Sequence, residues 1–339
     1  MKAAFYEGHE SIATGSCTPV NPSAGQVQIR VSHCGICGTD LHIFHGNMDH
    51  RVKLPQIIGH EMSGTIEAVG DDVSQWTVGD RVTVRPLDHC GACPACKAGH
   101  SHICMNLKFI GIDSPGAMQE LWTVPAHTLH RLPSNLTLEQ AALIEPLAVA
   151  CHDVRLGEVK AGEYVVILGA GPIGLLIAMV TRAAGANVLL ADVNPFRVEL
   201  ASGLGLNAVD ARTVDLVALV NEQTGGAGAD CVFEVSGAKA ATETMTKLPR
   251  TRGRIVIVAI HPQPTPVDLF RFFWRELRLV GARVYEAQDF NQAIDMAASG
   301  TLPLNKIITK TVPLEGLAEA FREMESGGEV MKILVRCPA

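Results

Sequence analysis

A glycine-rich turn directly after a short apolar run is the feature that most limits how this chain can fold. The run Tyr164–Leu168 is followed by Gly169-Ala170-Gly171-Pro172-Ile173-Gly174, and a helical pattern continues to residue 184. A strand buried on both faces has such a continuous apolar run. Glycines at these spacings allow a tight turn, close approach of a pyrophosphate to the backbone, and close helix packing. The sequence therefore predicts a strand–turn–helix unit that binds a dinucleotide at the helix N-terminus.

An acidic residue lies where such a unit would contact the adenosine ribose. Asp192 ends the next predicted strand, 18 residues after Gly174. A carboxylate here accepts hydrogen bonds from the ribose hydroxyls and repels a 2′-phosphate, which favours NAD over NADP. Arg197 follows five residues later and would weaken that preference. The alternative is a glycine turn that binds nothing, with Asp192 as an ordinary surface residue.

Strand and helix patterns alternate through the second half of the chain. Strands are predicted at 164–168, 188–191, 231–235, 254–260, 277–281 and 330–335. Helices are predicted at 172–184, 197–204, 289–299 and 314–326, preceded by a single helix over 138–155 that is kinked at Pro146. Such alternation produces right-handed crossovers and a parallel sheet. Residues 1–135 instead contain short β-branched runs bounded by Gly or Pro, which predicts an irregular β-rich domain resembling a folded-over barrel.

Composition excludes several classes of protein. The 339 residues are 47% hydrophobic and 19% charged, which argues against disorder, and the net charge of −7 argues against nucleic-acid binding. The most apolar stretch, 165–180, is interrupted by glycines and a proline, so it predicts a buried core segment rather than a membrane helix. The first ten residues lack the apolar core of a signal peptide, so we expect a cytoplasmic protein that contacts neither membranes nor nucleic acids.

Clustered cysteines predict a structural metal site. Cys90, Cys93, Cys96 and Cys104 lie within 15 residues of one another. Thiolates at this spacing suit tetrahedral zinc with no open position, and a closed site of this kind is structural. Less favoured alternatives are unliganded thiols, an iron–sulfur cluster and a zinc ribbon that binds nucleic acid.

A second metal site is indicated by residues that are dispersed along the sequence. Cys37, His60 and the carboxylates Glu61 and Glu145 together supply a thiolate, an imidazole and one or two acidic ligands. Three such ligands with a fourth open position make a catalytic zinc site. Each fragment alone has an ordinary explanation, since a neighbouring His and Glu form a surface pair more often than a metal site. Cys34 forms a Cys-x-x-Cys pattern with Cys37, and we interpret it as a core thiol.

Several motifs follow one another along the chain: Gly35-Ile36-Cys37-Gly38-Thr39-Asp40, Gly59-His60-Glu61, Gly79-Asp80-Arg81-Val82, the four-cysteine lobe, Glu145-Pro146-Leu147 and the glycine loop. In this order they resemble the zinc-dependent medium-chain dehydrogenase/reductase family, within the polyol (sorbitol), 2,3-butanediol and L-threonine dehydrogenase branch. The resemblance implies an α/β protein with a GroES-like β-rich catalytic domain over 1–148 and 287–339, its structural zinc lobe over 88–106. It also implies a Rossmann NAD-binding domain, doubly wound around a parallel sheet, over 149–286. Homodimers or homotetramers assembled through the Rossmann sheet are expected.

The resemblance further implies a reaction and its residues. Hydride would pass from a secondary alcohol to NAD, giving the ketone, with two zinc ions per chain. Cys37, His60 and a carboxylate would surround the catalytic zinc; Glu145 is favoured, with Glu61 as an alternating or outer ligand. Cys151 and His152 lie close to Glu145 in the sequence and keep the identity of the third ligand open. Thr39 would take the hydroxyl proton and pass it, through the nicotinamide ribose, to His42. Amino-alcohol oxidation of the L-threonine 3-dehydrogenase type, a zinc-free quinone or enone reductase, and a binding protein without activity remain alternatives.

Overall fold

The computed structural model describes residues 1–261 and 263–337. The chain divides into two compact units: the first runs from Met1 to Glu145 and resumes at Glu286, and the second is Pro146–Tyr285. Among the described residues, no helix combines the length and the apolar character needed to cross a bilayer.

The strands and helices have the following bounds, in chain order. The strands are β1 Lys2–Gly8, β2 Ser11–Ser16, β3 Gln26–Gly35, β4 Gln56–Ile57, β5 Glu61–Val69, β6 Arg81–Val84, β7 Leu87–Asp88, β8 Lys108–Phe109, β9 Leu121–Pro125, β10 Leu129–Arg131, β11 Tyr164–Leu168, β12 Asn187–Asp192, β13 Asn207–Asp210, β14 Ala229–Glu234, β15 Pro249–Ile257, β16 Arg278–Gly281, β17 Ile308–Pro313 and β18 Lys332–Arg336. The helices are α1 Gly38–Phe44, α2 Pro94–Lys97, α3 Leu138–Ala141, α4 Ile144–Leu156, α5 Pro172–Ala183, α6 Pro195–Gly203, α7 Leu216–Gln223, α8 Lys239–Met245, α9 Leu269–Arg275, α10 Ala287–Ala298 and α11 Leu317–Glu325.

The first unit is built around the long strand β3. The main sheet has the order β10-β6-β5-β3-β18-β17, with β9 also paired to β3, and a smaller sheet has the order β2-β1-β4. Alternate residues of β3, Val27, Ile29 and Val31, are buried, as expected for a strand with a core-facing side. Its last residue, Gly35, pairs with Glu61 of β5 on one side and with Leu334 of β18 on the other. Segments from both ends of the chain therefore meet where β3 ends.

The second unit contains a parallel sheet in the order β13-β12-β11-β14-β15-β16. This is the strand order of a doubly wound dinucleotide-binding fold, and it confirms the predicted fold class. The central strand β11 is buried on both faces, because α5 and the other helices cover the sheet; Val165, Val166 and Ile167 are inaccessible to solvent. Ligands bind such sheets at the carboxyl ends of the strands, beside the point where the strand order reverses.

The prediction of one kinked helix over 138–155 is wrong. The structure has two helices instead: α3 begins at a capping box of Thr137 and Gln140 and ends at Ala141, and α4 begins at Ile144 after a turn. Pro146 lies in the first turn of α4, where the missing N–H would have had no helical partner. The proline therefore marks the start of a helix instead of a kink.

Candidate functional site

The N-terminus of α1 holds Cys37 in place. Cys37 is the N-cap residue, and its Sγ accepts a hydrogen bond from the backbone N–H of Thr39 at 3.5 Å. The carboxylate of Asp40 completes a capping box by accepting the backbone N–H of Cys37 at 2.9 Å. A negatively charged sulfur is stabilised by the positive end of a helix, so this position suits a thiolate. The same short helix carries Thr39 and His42.

Three side chains from neighbouring segments bring possible metal-binding atoms together. One donor atom each from Cys37, His60 and Glu61 lies within 4.8 Å of the others. The pairing of β3 with β5 explains this proximity, because Glu61 lies opposite Gly35, two residues before Cys37. His60 and Glu61 are almost fully buried. A sulfur, a nitrogen and a carboxylate oxygen are the donors that zinc prefers in catalytic sites.

The charge around His60 fits a cation at this point. Burial lowers the pKa of His60, but Asp40 and the thiolate of Cys37 outweigh burial and raise the pKa to about 10. The carboxylate of Glu145, which lies buried in the first turn of α4, raises that pKa further. Buried anions that favour a protonated imidazole also favour a divalent metal ion in its place. The donor set and its electrostatics therefore fit Zn²⁺.

Asp40 has a second role beside the capping box. Its Oδ1 lies 3.7 Å from Nδ1 of His60, and both groups are buried. A metal-binding histidine commonly turns its other nitrogen toward a carboxylate, which fixes the orientation of the ring. Nδ1 of His60 faces Asp40 at a distance longer than a hydrogen bond, and this orientation favours Nε2 as the nitrogen for a metal. Cys34, in contrast, is completely buried, and burial raises its pKa well above the usual range, as expected for a core thiol.

Thr39 and His42 occupy neighbouring positions on α1. They are three residues apart, so both side chains lie on the same face of the helix. Both are partly exposed. The helix that fixes Cys37 thus also fixes the two candidate proton-transfer groups relative to it.

The four-cysteine lobe closes around one point. Donor atoms of Cys90, Cys93, Cys96 and Cys104 all lie within 4.8 Å of one another. The Sγ of Cys104 lies 3.5 Å from that of Cys90 and 3.8 Å from that of Cys93. Zinc–sulfur bonds of about 2.3 Å in a tetrahedron place sulfurs about 3.8 Å apart. Backbone N–H groups of Ala92 and Cys93 lower the pKa of Cys90 to about 6, which favours the thiolate. This geometry fits a closed zinc site.

The glycine loop has the shape that a pyrophosphate requires. Gly169 has a φ of +112°, and a Cβ on Gly174 would lie 1.8 Å from the carbonyl oxygen of Gly169, so neither position admits a side chain. A Cβ on Gly171 would instead face open space, with Nη1 of Arg197 at 3.7 Å as its nearest neighbour. Gly171 is the N-cap of α5, followed by Pro172 and Ile173, and no side chain caps this helix. Its first N–H groups are therefore available to an anion.

Asp192 lies at the carboxyl end of β12, beside a cavity of about 420 Å³. One carboxylate oxygen accepts the N–H of Ala170 at 2.5 Å and the other accepts the N–H of Asn194 at 2.8 Å. A carboxylate has about four acceptor sites, so it retains capacity for ribose hydroxyls. Nη1 of Arg197 lies 3.9 Å from Asp192. The remaining cavity lining is mostly apolar and includes Leu168, Ala191, Val193, Ala211, Val214 and Ala241.

We expect Asp192→Asn to weaken NAD binding by about 10–100-fold, because a charged hydrogen bond contributes roughly 1.5–3 kcal/mol. The affinity for NADP relative to that for NAD should rise as well, since the repulsion of a 2′-phosphate disappears. Titration calorimetry with both nucleotides measures these changes. Glu199→Gln is the control, because it removes one exposed charge from the adjacent helix α6 without altering the cavity. Unchanged affinities in Asp192→Asn would contradict the assignment.

Three polar residues of the segment 45–51 are engaged in contacts within the first unit. His45 contacts Glu10 at 2.9 Å and also pairs with Glu325. Tyr6 donates a hydrogen bond to Asp49 at 2.9 Å, and Arg51 forms a two-pronged ion pair with Asp113. These contacts fix the segment after α1 and engage the side chains of His45, Asp49 and Arg51.

Sequence reasoning missed two residues of the site, Asp40 as an orienting group and Lys332. Lys332 is 2% exposed, and its Nζ donates to the carbonyl oxygen of Ile36 at 2.9 Å and pairs with Glu61. The available signal was a lysine inside the apolar run that forms β18. A charged residue in such a run is buried only when it is paired.

Comparisons with known proteins place the two units in families. Residues 23–134 match the alcohol dehydrogenase GroES-like domain, and residues 172–299 match the zinc-binding dehydrogenase domain. The chain is 52% identical to 2-dehydro-3-deoxy-L-galactonate 5-dehydrogenase of Pseudoalteromonas atlantica, over 100% of this chain and 99% of that protein. It is 32% identical to sorbitol dehydrogenase of Halalkalibacterium halodurans, over 93% and 92% of the two chains.

Solved structures show the same similarity. A chain of Sinorhizobium meliloti 1021, described as a zinc-binding dehydrogenase and bound to NADP, superposes with a TM-score of 0.93. The two chains are 32% identical, and the match covers 99% of this chain and 98% of the other. Similarity therefore extends over both units.

Proposed function

The chain belongs to the zinc-dependent medium-chain dehydrogenases, and on that premise we propose that it oxidises a secondary hydroxyl group of a polyhydroxylated substrate to the ketone. It is an oxidoreductase of the alcohol dehydrogenase type. We propose NAD as the hydride acceptor and two zinc ions per chain, one catalytic and one structural. The first unit is proposed as the catalytic domain and the second as the nucleotide-binding domain.

The observation that carries this proposal is the buried group of Cys37, His60 and Glu61, whose donor atoms lie within 4.8 Å of one another. A reductase that works without zinc has no need of a thiolate, an imidazole and a carboxylate at one buried point. An inactive binding protein has no need of Thr39 and His42 on the helix that presents Cys37. The donor set therefore favours zinc-assisted alcohol oxidation over both alternatives.

Different residues of the chain have different roles in the proposed reaction. When bound, zinc supplies a Lewis acid that lowers the pKa of a coordinated hydroxyl, and the nicotinamide accepts the hydride. Cys37, His60 and one carboxylate, Glu61 or Glu145, would hold the metal, and the donor atom of Glu61 lies within 4.8 Å of those of Cys37 and His60. The hydroxyl of Thr39 would accept the substrate proton while giving up its own along the path toward His42, and His42 would release a proton to solvent. An imidazole suits this end of the path because it takes up and releases protons near neutral pH.

His42→Ala should lower turnover mainly at low pH, by about a hundredfold, because loss of the substrate proton then limits the rate. At high pH hydroxide removes the proton directly, and turnover should approach that of the wild type. The measurement is turnover from pH 6 to pH 10. A pH profile that is parallel to the wild-type profile would contradict the role of His42.

A sugar acid is the first substrate to test. The relative that is 52% identical oxidises position 5 of 2-dehydro-3-deoxy-L-galactonate, according to its name. We propose that this chain acts on the same class of compound, with polyols as the second candidate because of the similarity to sorbitol dehydrogenase. Amino-alcohol oxidation is not favoured by any contact described above.

The experiment is a panel assay that follows reduction of NAD and of NADP. The panel contains 2-dehydro-3-deoxy-L-galactonate, sorbitol, 2,3-butanediol and L-threonine, and apoprotein stripped of metal serves as the blank. We expect NAD reduction with the sugar acid. Activity with NADP alone would contradict the cofactor, and absence of turnover with every alcohol would contradict the function.

We also propose that the chain assembles as a homodimer or homotetramer through the second unit. Helix α9 exposes Phe270, Phe273 and Trp274, and the adjacent edge strand β16 exposes Leu279. A contiguous apolar surface beside an open sheet edge is typical of a subunit interface. Light scattering should give a mass of two or four times 36.1 kDa. Trp274→Glu should reduce that mass, whereas Val78→Glu, at an exposed valine of the first unit, should not.

A further inference from the structure

Glu234 has no access to solvent and lies at the carboxyl end of β14, in the second unit. Its Oε1 accepts hydrogen bonds from the backbone N–H of Ser236 at 3.0 Å, the hydroxyl of Ser236 at 2.7 Å and the backbone N–H of Gly237 at 2.9 Å. Its Oε2 lies 3.0 Å from Nε2 of His261, which follows β15. A carboxylate only accepts hydrogen bonds, so Nε2 donates. Four donors therefore converge on this carboxylate, as a buried anion requires.

The turn that Glu234 holds packs against the glycine loop. A Cβ on Gly169 would lie 3.1 Å from the Cβ of Ser236, so this turn and the loop approach each other closely. Ser236 also lines the cavity beside Asp192. Glu234 therefore fixes part of the wall of the nucleotide crevice, although its own side chain lies behind that wall.

The strand order assigns the two halves of a dinucleotide to different strands. The order reverses between β11 and β14, and dinucleotides bind across this point. The glycine loop after β11 would hold the pyrophosphate, and Asp192 at the end of β12 would hold the adenosine ribose. The nicotinamide half would therefore extend to the other side, toward the end of β14, where Glu234 is the last residue of the strand.

The charge at this end of the crevice depends on His261. Its side chain is 19% exposed, and imidazole is the side chain that changes charge near neutral pH. With a neutral imidazole the pair carries one negative charge, and with a protonated imidazole it carries none. The other described residues that line the cavity beside His261 have no titratable side chain. On the neighbouring helix α8, Lys239 and Glu243 are exposed and lie 3.8 Å apart, so their charges balance.

The nicotinamide ring is positively charged in NAD and neutral in NADH, so a nearby anion distinguishes the two. A carboxylate that is shielded from water acts more strongly on another charge than a carboxylate at the surface. We propose that Glu234 and His261 set the relative affinity of the crevice for the oxidised and the reduced nucleotide: Glu234 favours NAD, and protonation of His261 cancels that preference. The proposal rests on the proposed function, since it assumes a nicotinamide nucleotide in this crevice.

The test compares dissociation constants for NAD, NADH and ADP-ribose, which lacks the nicotinamide, by titration calorimetry at pH 6 and pH 9. Glu234→Gln keeps an oxygen acceptor for the turn but removes the charge. At pH 9 it should weaken binding of NAD about fivefold relative to NADH, while the affinity for ADP-ribose stays unchanged. This ratio distinguishes a charge effect from a structural role, because a distorted crevice would weaken both nucleotides alike.

His261→Gln tests the second member of the pair. Glutamine still offers an N–H donor to Glu234 but carries no charge at either pH. At pH 6 the variant should bind NAD about threefold more tightly relative to NADH than the wild type does, and at pH 9 the two should agree. Glu243→Gln, which removes an exposed carboxylate from α8, is the matched control and should leave both ratios unchanged.

Either of two results would overturn the proposal while leaving the function intact. One is an equal change in NAD and NADH affinity in Glu234→Gln, and the other is a wild-type ratio at both pH values in His261→Gln. The second result does not depend on the folding of Glu234→Gln. A wild-type chain that binds ADP-ribose but neither NAD nor NADH would instead overturn the proposed cofactor, and with it the role of the pair.

Discussion

Replacement of Cys37 by serine should lower turnover by about a thousandfold, because the loss of Lewis-acid assistance removes several kcal/mol of transition-state stabilisation. A serine hydroxyl does not ionise near neutral pH, so the remaining donors, His60 and a carboxylate, hold zinc poorly. Zinc favours thiolate ligands more strongly than harder metal ions such as Mg²⁺ do. Steady-state oxidation of the substrate found in the panel assay measures the effect.

Metal content and nucleotide binding distinguish the loss of the catalytic metal from a general loss of folded structure. Elemental analysis should give two zinc ions per wild-type chain and one in Cys37→Ser, because the four-cysteine site lies elsewhere in the sequence. NAD binding by the second unit should be unchanged. Cys17→Ser, at a partly exposed cysteine outside both metal groups, is the matched control and should retain activity and both metals. Full activity in Cys37→Ser would refute the catalytic metal site.

Arg254→Met should destabilise the second unit by about 3–5 kcal/mol, which is the usual cost of removing one partner of a buried ion pair. The guanidinium group is 5% exposed and pairs with Glu163. It also donates to three backbone carbonyl oxygens, those of Gly157, Glu158 and Asp230. Methionine fills a similar volume but leaves these acceptors without a donor in a buried place.

The measurement is the thermal unfolding midpoint, which should fall by about 10 °C. Arg252→Ala is the control on the same strand, β15: this arginine is exposed and pairs with the exposed Glu276. Surface pairs contribute about 0–1 kcal/mol, so its midpoint should barely move. Equal effects of the two substitutions would show that the buried arginine network does not stabilise the unit.

The fold class was predictable because local patterns agreed with one another. The apolar run at β11, the glycine loop and the alternating elements after residue 140 all indicate a parallel sheet, and the structure confirms it. The helices α7, α8 and α9 were not predicted, although they belong to the same alternation. In α9 the apolar residues Phe270, Phe273 and Trp274 are exposed, so the usual relation between apolar pattern and burial fails there.

The candidate site was only partly accessible to sequence reasoning. The four clustered cysteines share one short loop, so their spacing alone indicates a metal. Cys37, His60 and Glu61 were found from residue type and order, and the register of β3 and β5 explains why they meet. Lys332 was missed because its partner, Glu61, is 271 positions away in the sequence. The role of a charged residue inside an apolar strand cannot be inferred until its partner is known.

Residues 332–336 form the strand that completes the main sheet beside β3, and they carry the ammonium group that contacts Ile36 and Glu61. During synthesis the ribosome releases Cys37, His60 and Glu61 long before this strand. Until β18 docks, the carboxylate of Glu61 has no Lys332 beside it, and residues 33–35 of β3 lack their partners on that side. The charge of Glu61 is therefore balanced by Lys332 only after the last strand of the chain has taken its place in the sheet.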